Sequence, residues 1–221
     1  MHEADATIAA QIRAVLTAAE AGDGTAPIVE AGDPVLRCET RPFDGQVDDA
    51  ELQQLAEVMR ATMLAAPGVG LAAPQVGIGV SMFVAEDPGA RDPEVAEVRQ
   101  REPMPLRVVL NAEYSRASSD DVAFYEGCLS IPGYQAVVAR PREIELHGVD
   151  LDGGSIAEVI TGWSARIVAH ETDHLAGILF LDKAEMRSLA TNESVAKFWH
   201  QPSTQKAAAE LGFSLPSGMV M

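Results

Sequence analysis

Leu52, Leu55, Met59 and Met63 recur at helical spacing behind Asp48, a residue type that caps helix N-termini, and Pro67-Gly68 stops the run. The pattern predicts an amphipathic helix. A second is predicted over 162–176, where Trp163, Ile167, His170 and His174 fall at i, i+4, i+7 and i+11 and share one face, with Gly177 as the stop. Between these helices the period shortens. Residues 80–85, 106–112, 122–125, 135–139, 143–149 and 155–161 read as strands, the last two joined by a tight turn at Asp152-Gly153-Gly154. Residues 86–105, charged and punctuated by proline, read as an exposed loop. Residues 7–19 are Ala-rich with helical spacing, and 203–211 predict a short helix ended by Gly212. Strands mostly in hairpin succession with helices at the ends predict an α+β domain. Its antiparallel strands pack around the histidine-bearing central helix, and helical extensions flank it. The expected division is a 1–25 extension, a 26–190 domain and a 191–221 tail.

Composition narrows the picture. A chain of 221 residues, 47% apolar, buries a core without a structural metal, so a metal site is expected to be functional. A formal charge of −17 repels phosphate backbones and argues against DNA or general nucleic-acid binding. Residues 61–85 carry no formal charge over a span long enough to cross a bilayer, but Pro67, Pro74 and four glycines break it. That stretch reads as buried backbone, with no membrane association expected. No basic region followed by an apolar run opens the chain, so a cytoplasmic location is expected. Two cysteines make no disulfide framework, and in a reducing compartment a cysteine is more readily a ligand or nucleophile. Cys38 reads as a small buried hydrophobe.

Three strings carry candidate chemistry. In His170-Glu171-Thr172-Asp173-His174, two imidazoles four positions apart can reach one cation, and Glu171, about a quarter-turn away, suits a general base. The bland alternative is two packed histidines and a surface glutamate. Asp173 reads equally as a carboxylate orienting an imidazole or as a surface partner of Arg166. For a third ligand, His200 and Glu185 lie downstream, but Cys128 in Glu126-Gly127-Cys128-Leu129-Ser130 is the better candidate, its thiolate suiting a borderline or soft metal. Gly68-Val69-Gly70-Leu71-Ala72-Ala73 mimics a dinucleotide-binding loop, yet a helix precedes it and Pro74 follows, which excludes that reading. A tight backbone presenting the Gln75 carboxamide to a developing oxyanion is the useful alternative to an incidental turn.

In this order, the strings GVGLAAPQVG, EGCLS and HETDH resemble the three signature motifs of the peptide deformylases, and Gly32-Asp33-Pro34-Val35-Leu36-Arg37 resembles that family's N-terminal segment. The resemblance spans roughly residues 26–190. It implies that Cys128, His170 and His174 hold one divalent metal, Fe(II) with Zn, Ni or Co able to substitute. It implies that Glu171 moves the proton, and that Gln75 with the Leu129 backbone N–H holds the oxyanion. The implied activity is removal of the formyl group from N-terminal formyl-methionine of nascent peptides, releasing formate. Val69, Phe124 and Ile167 would form an apolar pocket for the methionine side chain, and the Gly70 and Leu129 backbones would pair with an extended peptide. Another metallohydrolase, zinc peptidase-like, and a catalytically silent peptide-binding relative are the alternatives. The resemblance also implies transient contact with the ribosome. Stable docking through the tail is disfavoured, because Lys183, Arg187, Lys197 and Lys206 face as many acidic residues there, among them Asp182, Glu185, Glu193 and Glu210.

Overall fold

In the computed structural model of the protein, residues 3–216 are described, with side chains from residue 6 onward. Helix α1 (Glu3–Ala21) leads into an extended stretch and a short 3-10 turn at Pro34–Arg37. Helix α2 (Asp49–Ala65) starts where predicted, the Asp48 carboxylate accepting from the Glu51 N–H at 2.9 Å. Strand β1 (Gly70–Ala72) follows, then a 3-10 turn at Ala73–Val76, β2 (Met82–Asp87), α3 (Pro93–Arg99) and β3 (Met104–Arg116). Next come β4 (Asp121–Cys128), β5 (Ile131–Pro141), β6 (Glu143–Val149), β7 (Ser155–Thr161) and α4 (Gly162–Leu175). The chain ends with β8 (Ala184–Thr191), α5 (Asn192–Phe198) and α6 (Gln205–Leu211).

Two antiparallel sheets result, one ordered β1-β2-β3-β6-β7 and the other β4-β5-β8. Helix α4 lies against strands of both, so the predicted central helix is the centre of the domain. Its apolar residues Ala165, Ile167, Val168, Ala169 and Leu175 pack with Phe83, Ile144 and Leu146 of the larger sheet. The N-terminal helix is not a loose appendage. Ile8, Ile12, Val15 and Leu16 are buried against Leu52, Leu55, Met59 and the β1–β2 region. At the other end Ala207 of α6 packs on Ala123, Tyr125 and Val137.

Several expectations change. Strands β1 and β8 had no signature in the pattern: β1 is three fully buried residues without alternation, and β8 exists because β5 supplies its pairing edge. Residues 86–105 are not simply an exposed loop. Asp92 caps α3 by accepting from the Glu94 N–H, Pro93 sits in its first turn, and Gln100 ends it in the left-handed region (φ 47°). The Gln100 carbonyl then accepts from the Trp163 N–H at 3.1 Å, clamping this excursion onto the start of α4. Cys38 is exposed, because it follows the Pro34–Arg37 turn on the surface rather than entering the core beside Leu36.

Candidate active site

Cys128 sits at the last position of β4, past a register shift at Gly127 that turns the strand end toward α4. His170 and His174 project from α4 one turn apart, their ring centroids separated by 5.0 Å. The Cys128 sulfur and one ring nitrogen of each histidine lie within 4.8 Å of one another. Cys128 Sγ is 3.3 Å from His174 Nε2. A soft sulfur and two imidazole nitrogens converging at this separation are a donor set for one divalent cation, and these residues fit such a group. Neither His200, exposed beyond α5, nor Glu185 on β8 joins them.

The protonation pattern supports the same fit. His170 Nδ1 is 3.0 Å from a Glu126 carboxylate oxygen, which accepts only, so this nitrogen carries a proton and Nε2 is the nitrogen left to face a cation. Burial opposes an imidazolium at His170, yet hydrogen bonds to Cys128 and Glu126 carry its pKa up to about 10, so without a cation Nε2 also holds a proton, which a bound cation would replace. Burial holds His174 neutral, well below the usual histidine range, and its Nδ1 has no partner.

Glu126 was not singled out by sequence reasoning, although strand alternation places it on the same side of β4 as Cys128, two positions on. Burial alone would raise its carboxyl. The Arg140 and Arg166 guanidiniums and His170 instead hold it well below the usual carboxylate range. Arg140 bridges two carboxylates, reaching Glu126 at 2.6 Å and Asp173 at 2.8 Å. Asp173 also accepts from Lys183 Nζ at 2.7 Å and from the Tyr114 hydroxyl at 3.1 Å. It is thus neither a surface group nor the partner of Arg166. It is 4% exposed, and Arg166 is committed to Glu126 and two strand carbonyls.

Glu171 faces the other way, under β1. It is 4% exposed, its Oε2 has no hydrogen-bond partner, and burial pushes its pKa up to about 7. Gly70 passes directly over it: a Cβ there would stand 2.1 Å from Glu171 Oε1. Gln75 is buried beside the sulfur. Its Oε1 accepts from the Ala72 N–H at 2.8 Å, which turns its NH₂ toward Cys128 Sγ at 3.4 Å and Ser130 Oγ at 3.3 Å.

All of this opens on one cavity of about 690 Å³. Val69, Gly70, Gln75, Cys128, Leu129, Ile167, His170 and Glu171 line it. Phe124 does not; it lies behind Trp163, ring centroids 5.8 Å apart, and Trp163 takes the wall position. Arg99 and Arg101 also reach the wall, which the loop reading of 86–105 missed. Only their position in the fold, beside α4, reveals them.

A model of the polypeptide deformylase family matches residues 25–190. The chain is 55% identical over 193 residues to peptide deformylase 3 of Streptomyces avermitilis, covering 87% of this chain and 86% of that protein. It is 47% identical over 190 residues to a peptide deformylase of Bifidobacterium adolescentis, covering 86% and 87% respectively. Among solved structures it is similar to the Met-Ala-Ser-bound class I type b peptide deformylase of Acinetobacter baumannii (TM-score 0.65, 35% identity, 72% of this chain and 98% of that one). It is also similar to the Thermus thermophilus peptide deformylase (TM-score 0.62, 36% identity, 74% and 88%).

Proposed function

The chain belongs to the polypeptide deformylase family and removes the formyl group from N-formylated peptides; from that premise we propose which of its residues carry the reaction. Cys128, His170 and His174 are the metal ligands, and the convergence of their three donor atoms is the observation that carries the reading. We assign Fe(II) as the native ion, with Zn, Ni or Co able to occupy the same donors. When bound, such a cation polarises a carbonyl oxygen and makes a water more acidic.

The chain's own groups do the rest. Glu171, with its carboxyl held near neutrality by burial, accepts a proton from the attacking water and delivers it to the departing amine. The formyl C–N bond breaks, and formate and a free N-terminus leave. The Gln75 amide N–H and the Leu129 backbone N–H donate to the oxygen on which negative charge develops. Val69 and Ile167, with Trp163 in place of Phe124, give the methionine side chain an apolar seat. The Gly70 and Leu129 backbones pair with the extended peptide.

Among the described residues no helix is long and apolar enough to cross a membrane. We place the protein in the cytoplasm, acting on nascent chains through transient contact with the ribosome and without DNA binding. We divide it into a catalytic unit over 26–190 and packed extensions over 1–25 and 191–221. The test is formate release from formyl-Met-Ala-Ser by anaerobically purified protein, with metal analysis of the same sample. Stoichiometric iron with rapid release is expected. Metal bound equally well by Cys128→Ala would remove the ligand assignment.

A further inference from the structure

The cavity wall contains a cation that the reaction does not use. Arg99, the last residue of α3, lines the cavity with Arg101. Both guanidiniums lie 5.3 Å from the centroid of Trp163, and that of Arg99 also lies 5.5 Å from Phe124. Arg101 is neutralised by a two-pronged bridge to Asp87, at 2.8 and 2.9 Å. Arg99 is not. Its Nε and Nη2 donate to the carbonyls of Pro202 and Gln201, at 3.0 and 3.2 Å, and no carboxylate among the described residues pairs with it. Among the described residues its Nη1 has no acceptor. Arg166, the third guanidinium of this wall, is already balanced by Glu126.

A net charge of −17 would by itself turn acidic peptides away. Arg99 is a positive charge placed at the cleft against that field. Its aromatic contacts and two carbonyl bonds fix its direction in advance, so little rotamer entropy is lost when it meets a ligand. We propose that Arg99 is a specificity-determining residue that selects formyl-methionyl peptides carrying a carboxylate side chain in the residues just after methionine, over those carrying an ammonium or guanidinium. This deepens the deformylase reading and rests on it.

The test compares kcat/KM for formyl-Met-X-Ala-amide and formyl-Met-Ala-X-amide, with X as Glu, Gln or Lys. In the wild type, Glu should exceed Lys by roughly three- to tenfold at one of the two positions, mainly through KM, as for one charge-assisted contact in a partly wet site. The preference should shrink at high salt, where screening length falls from about 10 Å to about 3 Å. Arg99→Gln should bring the ratio to one, and Arg99→Lys should keep part of it. Thermal unfolding of each variant reports any loosening of the 201–202 anchor. A residue that merely pins the tail would lower stability and leave the ratio intact. Equal Glu and Lys rates in the wild type, or a preference that survives Arg99→Gln, would overturn the proposal. No formate from any peptide would count against the deformylase reading instead.

Discussion

Replacing Gly70 by alanine tests how Glu171, the proposed proton-transfer group, is held. The backbone there is not in the left-handed region, so alanine adopts it without strain. The added Cβ would stand 2.1 Å from Glu171 Oε1, 2.5 Å from Cδ and 2.7 Å from Cγ. To reach an ordinary contact of 3.4 Å the oxygen must retreat by about 1.3 Å. The carboxylate is free to yield, because no hydrogen bond fixes its Oε2. The fold should therefore survive while the base is displaced. A misplacement of about 1 Å costs on the order of 100-fold, and loss of a general acid–base group costs roughly 10²–10⁴-fold. Gly70→Ala should accordingly lower kcat by roughly 10²–10³-fold, with metal content and unfolding midpoint near those of the wild type.

The same alanine could also obstruct the peptide, and two double variants separate the effects. In a Glu171→Gln background the base is already gone, so Gly70→Ala should add little further loss in kcat. Glu171→Asp withdraws the carboxylate by one methylene and should restore part of the activity lost in Gly70→Ala. Steady-state formate release gives kcat and KM for each. A Gly70→Ala enzyme within a few-fold of wild type, or losses that multiply fully in the Gln background, would refute the argument.

Gln75→Ala should retain metal and lose roughly 10²–10³ in kcat, the usual effect of one oxyanion donor; loss of the metal would make Gln75 a support of Cys128 instead. Cys128→Ser should lower bound metal, read by elemental analysis, because a hydroxyl is a poorer ligand than a thiolate for a borderline ion; unchanged loading would rule the sulfur out. Glu126→Gln leaves the buried Arg166 with no carboxylate partner and Arg140 with Asp173 alone, and should destabilise by roughly 3–5 kcal/mol in urea titrations. Since the folded Glu126 pKa is depressed, its stabilisation is present above the ordinary carboxylate value and lost as pH falls toward the folded one. Acid unfolding below about pH 4.5 should therefore be steeper in wild type than in Glu126→Gln; parallel curves would deny Glu126 that role.

The parts of the molecule legible in the sequence are those set by local periodicity. Helices α2 and α4 repeat apolar residues on one face, and the β6–β7 hairpin carries its own turn residues. Asp173 was legible as an acid but not as a partner. Arg140 lies 33 positions upstream and Tyr114 lies 59, and only the packing of β3 and β5 on α4 brings them there. The 86–105 excursion misled for a different reason. Seven residues are too few to show a helical period, and the forces that fold it are long-range: the Gln100 clamp on Trp163 and the bridge from Arg101 to Asp87. Phe124 was assigned to the cavity from its nearness in sequence to Cys128. Alternation along β4 puts it on the same side as Glu126 and Cys128 but four positions further back, where Trp163 and the guanidinium of Arg166 cover it.

The charged cluster behind the proposed ligands is a poor way to gain stability. Taking Glu126, Arg140, Arg166 and Asp173 out of water costs several kcal/mol per ion, and well-packed apolar residues of the same volume would do as well or better. Apolar residues could not, however, choose between the two nitrogens of His170. A carboxylate that accepts from Nδ1–H leaves Nε2 as the ring nitrogen that faces Cys128 and can meet a cation, and two guanidiniums keep that carboxylate ionised. His174 has no such partner at Nδ1, and its orientation is set by packing and by the contact of its Nε2 with Cys128 Sγ. The two imidazoles are therefore held by different means. An apolar replacement of the whole Glu126–Arg140–Arg166 group would leave the fold near its present stability, yet it would free His170 to flip and lower metal affinity by roughly 10–100-fold. Titration of the metal against a competing chelator measures that difference, and an affinity equal to wild type would mean that the cluster does not serve the site.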